Sequence, residues 1–207
     1  LLAAYLDAGG QPHTLVRAAA FDAARLDPYA ARCSQARAVV LADALFAELS
    51  PVATPTGVLA EATWLTPVPS TATPLAVVLE DIQDPGNLGS MLRTAAAAGA
   101  TLAVLSKGCH DPWSPKALRG GQGAQFVLPM QLDADVPAWL AAFAGQSVAL
   151  TLGDTKDFYA EDYAGPTVLA VGNEGSGLSA AAARAARLRV QIPMPGRVES
   201  LNASAAL

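Results

Sequence analysis

Cysteine, histidine, charge and aromatic residues are all scarce in this chain of 207 residues. Its two cysteines, Cys33 and Cys109, stand far apart, which excludes a disulfide framework and a zinc ribbon and fits a reducing cytosol. With only two histidines, His13 and His110, there is no cluster at metal-ligand spacing, so no metal is expected. No window of about 18 apolar residues runs free of charge, so no membrane-spanning helix is expected. The opening LLAAYLDAGG has neither a basic n-region nor a small-residue cleavage site, so nothing marks secretion and a cytoplasmic protein is expected. It also has no Met at its start, so residues before Leu1 are expected. Charged residues make up only 15% and the net charge is −5, which argues against a sequence-blind polyanion binder. A single local basic patch remains compatible with that balance, because a site is a local matter.

What is abundant is apolar: 52% of residues, largely alanine, enough for a sizeable core and too much for a disordered chain. The run TPVPSTATP at 66–74, with three prolines and four Thr or Ser, can be neither helix nor central strand. It divides the chain into a small α/β unit at 1–66, a linker at 67–74 and a second domain at 75–207. In the first unit a helix is expected around Cys33–Leu49, with a short apolar run at Ala38–Leu41 and a turn at Thr54–Gly57. His13 has no acidic or cysteine neighbour at ligand spacing and reads as a surface or satisfied histidine.

Beyond the linker, continuous apolar runs predict strands buried on both faces: Pro74–Leu79, Ala100–Leu105, Phe126–Leu128, Ser147–Leu150, Thr167–Val171 and Val190–Ile192. Helical stretches at Leu88–Ala98, Val136–Ala144 and Leu178–Ala186 alternate with them, and another begins at Leu201. Alternation of this kind predicts an α/β fold with a covered parallel sheet, whose ligands sit at the carboxyl ends of its strands.

Three loops fall at such ends. EDIQDPGNL (80–88) turns through Asp84, Pro85 and Gly86 into the helix bearing Arg93, with Asn87 placed to cap that helix. Six residues separate Asn87 from Arg93, so both can face the sheet end, and an Arg there is a natural clamp for phosphate or a nucleotide hydroxyl. In GNEGSG (172–177) three glycines around Glu174 let a ligand approach the backbone, and their spacing matches neither G-x-G-x-x-G nor Walker A. The third loop, IPMPGRVESLN (192–202), is stiffened by two prolines and carries Ser200 and Asn202 near the start of the final helix. Each of these residues also has an ordinary reading as a cap, a turn or a solvated charge. Three strand-end loops with small residues plus Asn, Glu or Ser nonetheless describe one polar pocket.

NLGSMLRTAAAAGA, VLAVGNEGSGLS and IPMPGRVESLNASAA, in this order and spacing, resemble the three motifs of the SpoU/TrmH family of RNA ribose 2′-O-methyltransferases. The likeness spans about residues 74–207. The first 65 or so residues resemble, more weakly, the ribosomal-protein-like α/β domain that precedes the catalytic domain in ribosomal-RNA members, and WLTP after PTGVLAEA fits the junction. The resemblance implies a SPOUT-type trefoil-knotted parallel sheet with helices on both faces, and S-adenosylmethionine as cofactor, held by Gly172, Ile192 and Leu201 with Leu169 and Met194 nearby. It implies a homodimer whose pocket draws on both subunits, and RNA as the partner, with 23S ribosomal RNA favoured over tRNA.

For the chemistry, an attack of a ribose 2′-hydroxyl on a sulfonium methyl, the resemblance places Arg93 at the hydroxyl in an electrostatic role. Asn87 would orient Arg93 and the ribose, Glu174 and Asn202 would hold the pocket, and Ser200 would hydrogen-bond within it. A tRNA 2′-O-methyltransferase and a catalytically silent RNA-binding relative are the alternatives. A Ser–His–Asp hydrolase would need G-x-S-x-G, which is missing. RNA contacts would rest on Arg184, Arg187, Arg189, Arg197, Lys116 and Arg119. KALRGGQG (116–123) reads as a loop and departs from the family's R-A-S-x-G-A-like run. The resemblance also implies that the final helix continues past Leu207.

Overall fold

The computed structural model describes residues 1–69, 75–153, 155–196 and 201–207. The chain forms two compact units, Leu1–Leu65 and Thr66–Leu207.

In the first unit, helix α1 (Leu2–Asp7) precedes strand β1 (Pro12–Ala18), and strand β2 (Arg37–Leu41), helix α2 (Asp43–Leu49) and strand β3 (Val58–Ala62) follow. The sheet runs β2-β1-β3, with β2 parallel and β3 antiparallel to β1. The helix expected at Cys33–Leu49 is therefore a turn, a strand and a shorter helix. Val39 and Val40 favour the extended backbone, and pairing of β2 along β1 overrides helical propensity there. His13 bonds Thr63 Oγ1 through Nε2 at 2.7 Å.

The second unit is built on seven strands: β4 (Leu75–Leu79), β5 (Leu102–Ser106), β6 (Met130–Ala134), β7 (Gln146–Leu150), β8 (Lys156–Asp157), β9 (Thr167–Val171) and β10 (Leu188–Gln191). They run parallel in the order β6-β5-β4-β9-β7-β10-β8. Helices α3 (Pro85–Ala97), α4 (Pro115–Gly121), α5 (Val136–Ala142), α6 (Ala180–Ala185) and α7 (Ala203–Ala206) complete it. Alternate residues of the central strands enter two separate cores. Val77, Leu79, Ala103, Leu105 and Val171 pack with Leu88, Met91 and Leu92 of α3 and Ala203 of α7. Ala76, Val78, Val104, Val168 and Ala170 pack with Val136 and Leu140 of α5 and Ala182 of α6. A strand covered on both faces must be apolar throughout, which is why these runs were continuous in the sequence.

Two expectations change in this unit. Ala124–Phe126, which overlaps the strand expected at Phe126–Leu128, is a short 3-10 turn, and β6 starts only at Met130, after Pro129. KALRGGQG lies mostly in a helix, α4, with Ser114 as N-cap and Pro115 at its first position. Its glycines serve packing: a Cβ on Gly89 of α3 would overlap Ala117 O and lie 2.8 Å from Gly121 N, so α3 and α4 meet backbone to backbone.

From β4 the chain builds outward through β5 to β6, then crosses to β7, and β9 inserts between β4 and β7. The order of building thus reverses around β9. Crevices at such reversals, outside the carboxyl ends of the strands, are where parallel sheets bind ligands.

Candidate active site

Helix α3 starts at that rim. Asp84, not Asn87, is its N-cap: Asp84 Oδ1 accepts the Asn87 N–H at 2.9 Å, and Pro85 occupies the first helical position. A residue before Pro is biased to extended backbone, as an N-cap requires, whereas Asn87 already lies inside the first turn. Lys116 of α4 donates to Asp84 Oδ2 at 2.9 Å, and with the Asn87 N–H it holds the Asp84 carboxyl below the usual carboxylate range.

Freed from capping, the Asn87 side chain links two other loops. Its Nδ2 donates to Glu174 Oε1 at 3.0 Å, and its Oδ1 accepts from Asn202 Nδ2 at 3.2 Å. Asn202 is the N-cap of α7, its Oδ1 accepting the Ser204 N–H at 2.9 Å and the Ser204 hydroxyl at 2.7 Å. Three residues 87 and 115 positions apart along the chain thus meet in one hydrogen-bonded chain. Ser200 and Arg197 lie outside the described residues.

Arg93 behaves differently. It is exposed, beyond the first turn of α3, and has no hydrogen-bond or ion-pair partner among the described residues. The inward face of α3 is taken by Leu88, Met91, Leu92 and Ala95, so Arg93 does not join Asn87, Glu174 and Asn202 within one chain. Arg119, Arg184 and Arg189 are also exposed, while Arg187 reaches Phe143 O at 3.4 Å.

Beside this network the ends of β9, β7 and β10 are neighbours. Gly172 follows β9 and is buried. A Cβ there would overlap the backbone of Gly177 and Leu178, so the chain can double back only on a glycine. Leu169, Ile192 and Met194 are half-buried, and Leu201 is 44% exposed. Between Gly172 and Ile192, at the end of β7, sits Thr151. Its buried hydroxyl has no hydrogen-bond partner among the described residues. Such an orphan is uncommon in a folded interior and leaves a polar group for a water or a ligand to meet. Half-buried apolar side chains, a glycine cradle and the unsatisfied hydroxyls of Thr151 and, on the same loop, Thr155 suit a ligand with both apolar and polar parts, as S-adenosylmethionine is.

Thr151 was missed in the sequence. Its loop, TLGDT, holds no Asn or Glu to single it out, and a lone Thr after an apolar run is a common strand end. Among the described residues no group of three His, Cys, Asp or Glu lies together to hold a metal, and no helix is long and apolar enough to cross a membrane.

The SpoU rRNA methylase family matches residues 74–207, more than half the chain. This chain belongs to that family. A Synechocystis protein named as an uncharacterized tRNA/rRNA methyltransferase is 38% identical to this SpoU member over 170 residues, covering 79% of this chain and 61% of its own length. The Bacillus subtilis 23S rRNA (guanosine(2553)-2′-O)-methyltransferase RlmP is 34% identical over 133 residues, 63% of this chain and 53% of RlmP. The SpoU chain thus spans between about half and three fifths of the length of these two relatives. The SpoU methyltransferase AviRb of Streptomyces viridochromogenes, solved with AdoMet, superposes with a TM-score of 0.82 at 26% identity, over 99% of this chain and 82% of AviRb.

Proposed function

We propose that this SpoU protein transfers a methyl group from S-adenosylmethionine to a ribose 2′-hydroxyl of RNA, with ribosomal RNA as the preferred substrate. The observation that carries this reading is the joining of Asn87, Glu174 and Asn202, one from each family motif, beside the Gly172–Thr151–Ile192 rim. Support for a ribosomal target comes from the name of RlmP, and for the cofactor from AviRb solved with AdoMet. The first unit would then act as an RNA-gripping domain.

In this reading Gly172, Ile192 and Leu201, with Leu169, Met194 and Thr151, hold the cofactor in a knotted C-terminal cleft. When bound, S-adenosylmethionine would supply an electrophilic methyl on a sulfonium. An alcohol is a poor nucleophile at neutral pH, so the 2′-oxygen needs help as its proton leaves toward the RNA phosphate. Arg93 gives that help electrostatically, because a guanidinium stays protonated and stabilises the developing negative oxygen. Asn87, fixed at both ends, orients the ribose. Arg93, exposed and without a hydrogen-bond or ion-pair partner among the described residues, suits service in the pocket of a second copy, so the active form is a homodimer.

The test is methyl transfer from labelled S-adenosylmethionine to unmodified ribosomal RNA and tRNA, followed by alkaline hydrolysis. Alkali needs a free 2′-hydroxyl to cut. Label in resistant dinucleotides from ribosomal RNA is the expected result. Label in mononucleotides would mean base methylation and end the reading, and label confined to tRNA would reassign the substrate.

A further inference from the structure

The Gly172–Gly177 loop is held at three points by the two residues that follow β4. At its entry the Glu80 N–H donates to Val171 O at 2.9 Å. Toward its tip Asn173 Nδ2 donates to Asp81 O at 2.8 Å. The Asn173 Oδ1 also accepts the N–H groups of Gly175 at 2.8 Å and Ser176 at 3.1 Å, and Gly177 N–H returns to Asn173 O at 2.9 Å. At the exit Glu80 receives Ser179 twice, the N–H on Oε2 at 2.7 Å and the hydroxyl on Oε1 at 2.8 Å.

Glu80 is 8% exposed and forms no ion pair among the described residues. A buried carboxylate is tolerated only when its oxygens are well bonded, and here one residue 99 positions away supplies a donor to each. Capping does not explain this arrangement. Ser179 Oγ already accepts the Ala182 N–H at 3.1 Å, as an N-cap serine does without any acid behind it. What Glu80 adds is a fixed separation between the end of β4 and the exit of the loop. Because α3 also follows β4, the same two residues set where Glu174 stands relative to Asn87.

We infer that Glu80, with Asn173, is a positioning residue that latches the loop so that Glu174 meets Asn87, and that it acts on catalysis only through Glu174. The inference rests on the methyltransferase reading above for its catalytic part and on the loop geometry alone for its structural part.

The experiment is a double-mutant cycle in the full chain with Glu80→Gln, Glu174→Gln and the pair, plus Ser179→Ala and Ser179→Thr. Gln removes the charge and puts an amide NH2 in place of one acceptor oxygen, so the charge-assisted bond from the Ser179 hydroxyl is lost and the latch is weakened on that side. Turnover and KM on ribosomal RNA are read beside amide hydrogen exchange. Expected are a kcat about tenfold lower in Glu80→Gln with KM for RNA nearly unchanged, on the scale of a small misplacement of a catalytic group. Exchange at Gly175, Ser176 and Ser179 should quicken while β4 and β9 stay protected. On a Glu174→Gln background, Glu80→Gln should add almost nothing, since residues acting as one unit are non-additive. Ser179→Ala should copy Glu80→Gln, and Ser179→Thr, which keeps the hydroxyl, should restore the native values.

Additive losses, or unchanged exchange in the loop, would overturn the latch. Should Glu80→Gln fail to fold, Ser179→Ala removes a single hydroxyl and carries the same cycle. A native chain that transfers no methyl group defeats the function proposed above, while the exchange arm still decides the latch: quickening confined to 173–179 upholds it and no change removes it.

Discussion

Asn87 and Arg93 stand on one helix, less than two turns apart, and the fold treats them in opposite ways. Asn87 is half-buried, and both polar atoms of its amide are engaged, by Glu174 and by Asn202. Arg93 is exposed and unpartnered among the described residues. A short amide bonded at both ends cannot move without breaking contacts between three loops. A long side chain with no partner costs nothing to redirect and brings its full charge to whatever it meets. The first turn of α3 is thus built as a fixed frame and the third as a free charge, which divides orientation from electrostatics in the reaction proposed here.

The largest effect that would break this contrast is at Arg93. Arg93→Ala should lower methyl transfer by about 10³-fold, the scale of removing one preorganised electrostatic group from a transition state. Binding of S-adenosylmethionine, measured by calorimetry, should stay within about twofold, and the Tm should barely move, because Arg93 is exposed and has no hydrogen-bond or ion-pair partner among the described residues. Loss of cofactor binding together with transfer would make Arg93 part of the frame instead. Arg93→Lys keeps the charge and loses the planar fork, so partial activity would indicate simple electrostatics.

Gly172→Ala comes next. A Cβ there meets the backbone of Gly177 and Leu178, which cannot swing aside as a side chain can. Overpacking of this kind costs about 1–3 kcal/mol. The variant should melt several degrees lower and bind S-adenosylmethionine more weakly, in contrast to Arg93→Ala. Native Tm and affinity together would mean that the loop does not need its close return.

Asn87→Ala should have a smaller and mixed effect. It removes two side-chain hydrogen bonds, each worth about 1 kcal/mol net, and frees Glu174 and Asn202 to water rather than burying them unpaired. Transfer should fall about 10- to 100-fold with a modest fall in Tm. Asn87→Asp is the sharper variant, since a carboxylate facing Glu174 repels where the amide attracts. An Asn87→Asp enzyme of native activity would separate the network from catalysis.

How much of this could be read from the chain depended on how each part is buried. The strands of the second unit are covered on both faces, so β4, β7 and β9 showed as uninterrupted apolar runs. In the first unit β2 and β3 leave much of their surface to solvent, and β2 was absorbed into a helix that is not there. Asn87, Glu174 and Asn202 stand out in the sequence because three loops repeat small and polar types. Their connections do not. Asn87 reads as a cap in the sequence because Asn caps helices, whereas in the fold Asp84 takes that place and releases the Asn87 amide. Glu80 and Thr151 carried no pattern at all, since a single acid or hydroxyl after a strand signals nothing until its surroundings are known. α4 hid behind its two glycines, which weaken helix propensity and are there for contact with Gly89.

The smallest effect tests whether the frame under Asn87 depends on charge. Lys116 and Asp84 form an ion pair at 2.9 Å with side chains 65% and 45% exposed, so solvent screens it and its contribution stays below about 1 kcal/mol. Folding lowers the Asp84 pKa through Lys116 first and the Asn87 N–H second. A depressed carboxylate pKa stabilises the fold fully above the ordinary carboxylate range, and that contribution is lost as the pH falls through the folded-state value. Lys116→Ala should therefore melt slightly below the native protein at pH 7, by about 1–3 °C, and the gap should close as the pH falls below the ordinary carboxylate range. High salt at pH 7 should close it as well. Asp84 would still cap α3 in that variant, so the Asn87–Glu174 contact and the activity should survive. A gap that persists at low pH would assign the role of Lys116 to packing of its stem beside Gly86 rather than to its charge.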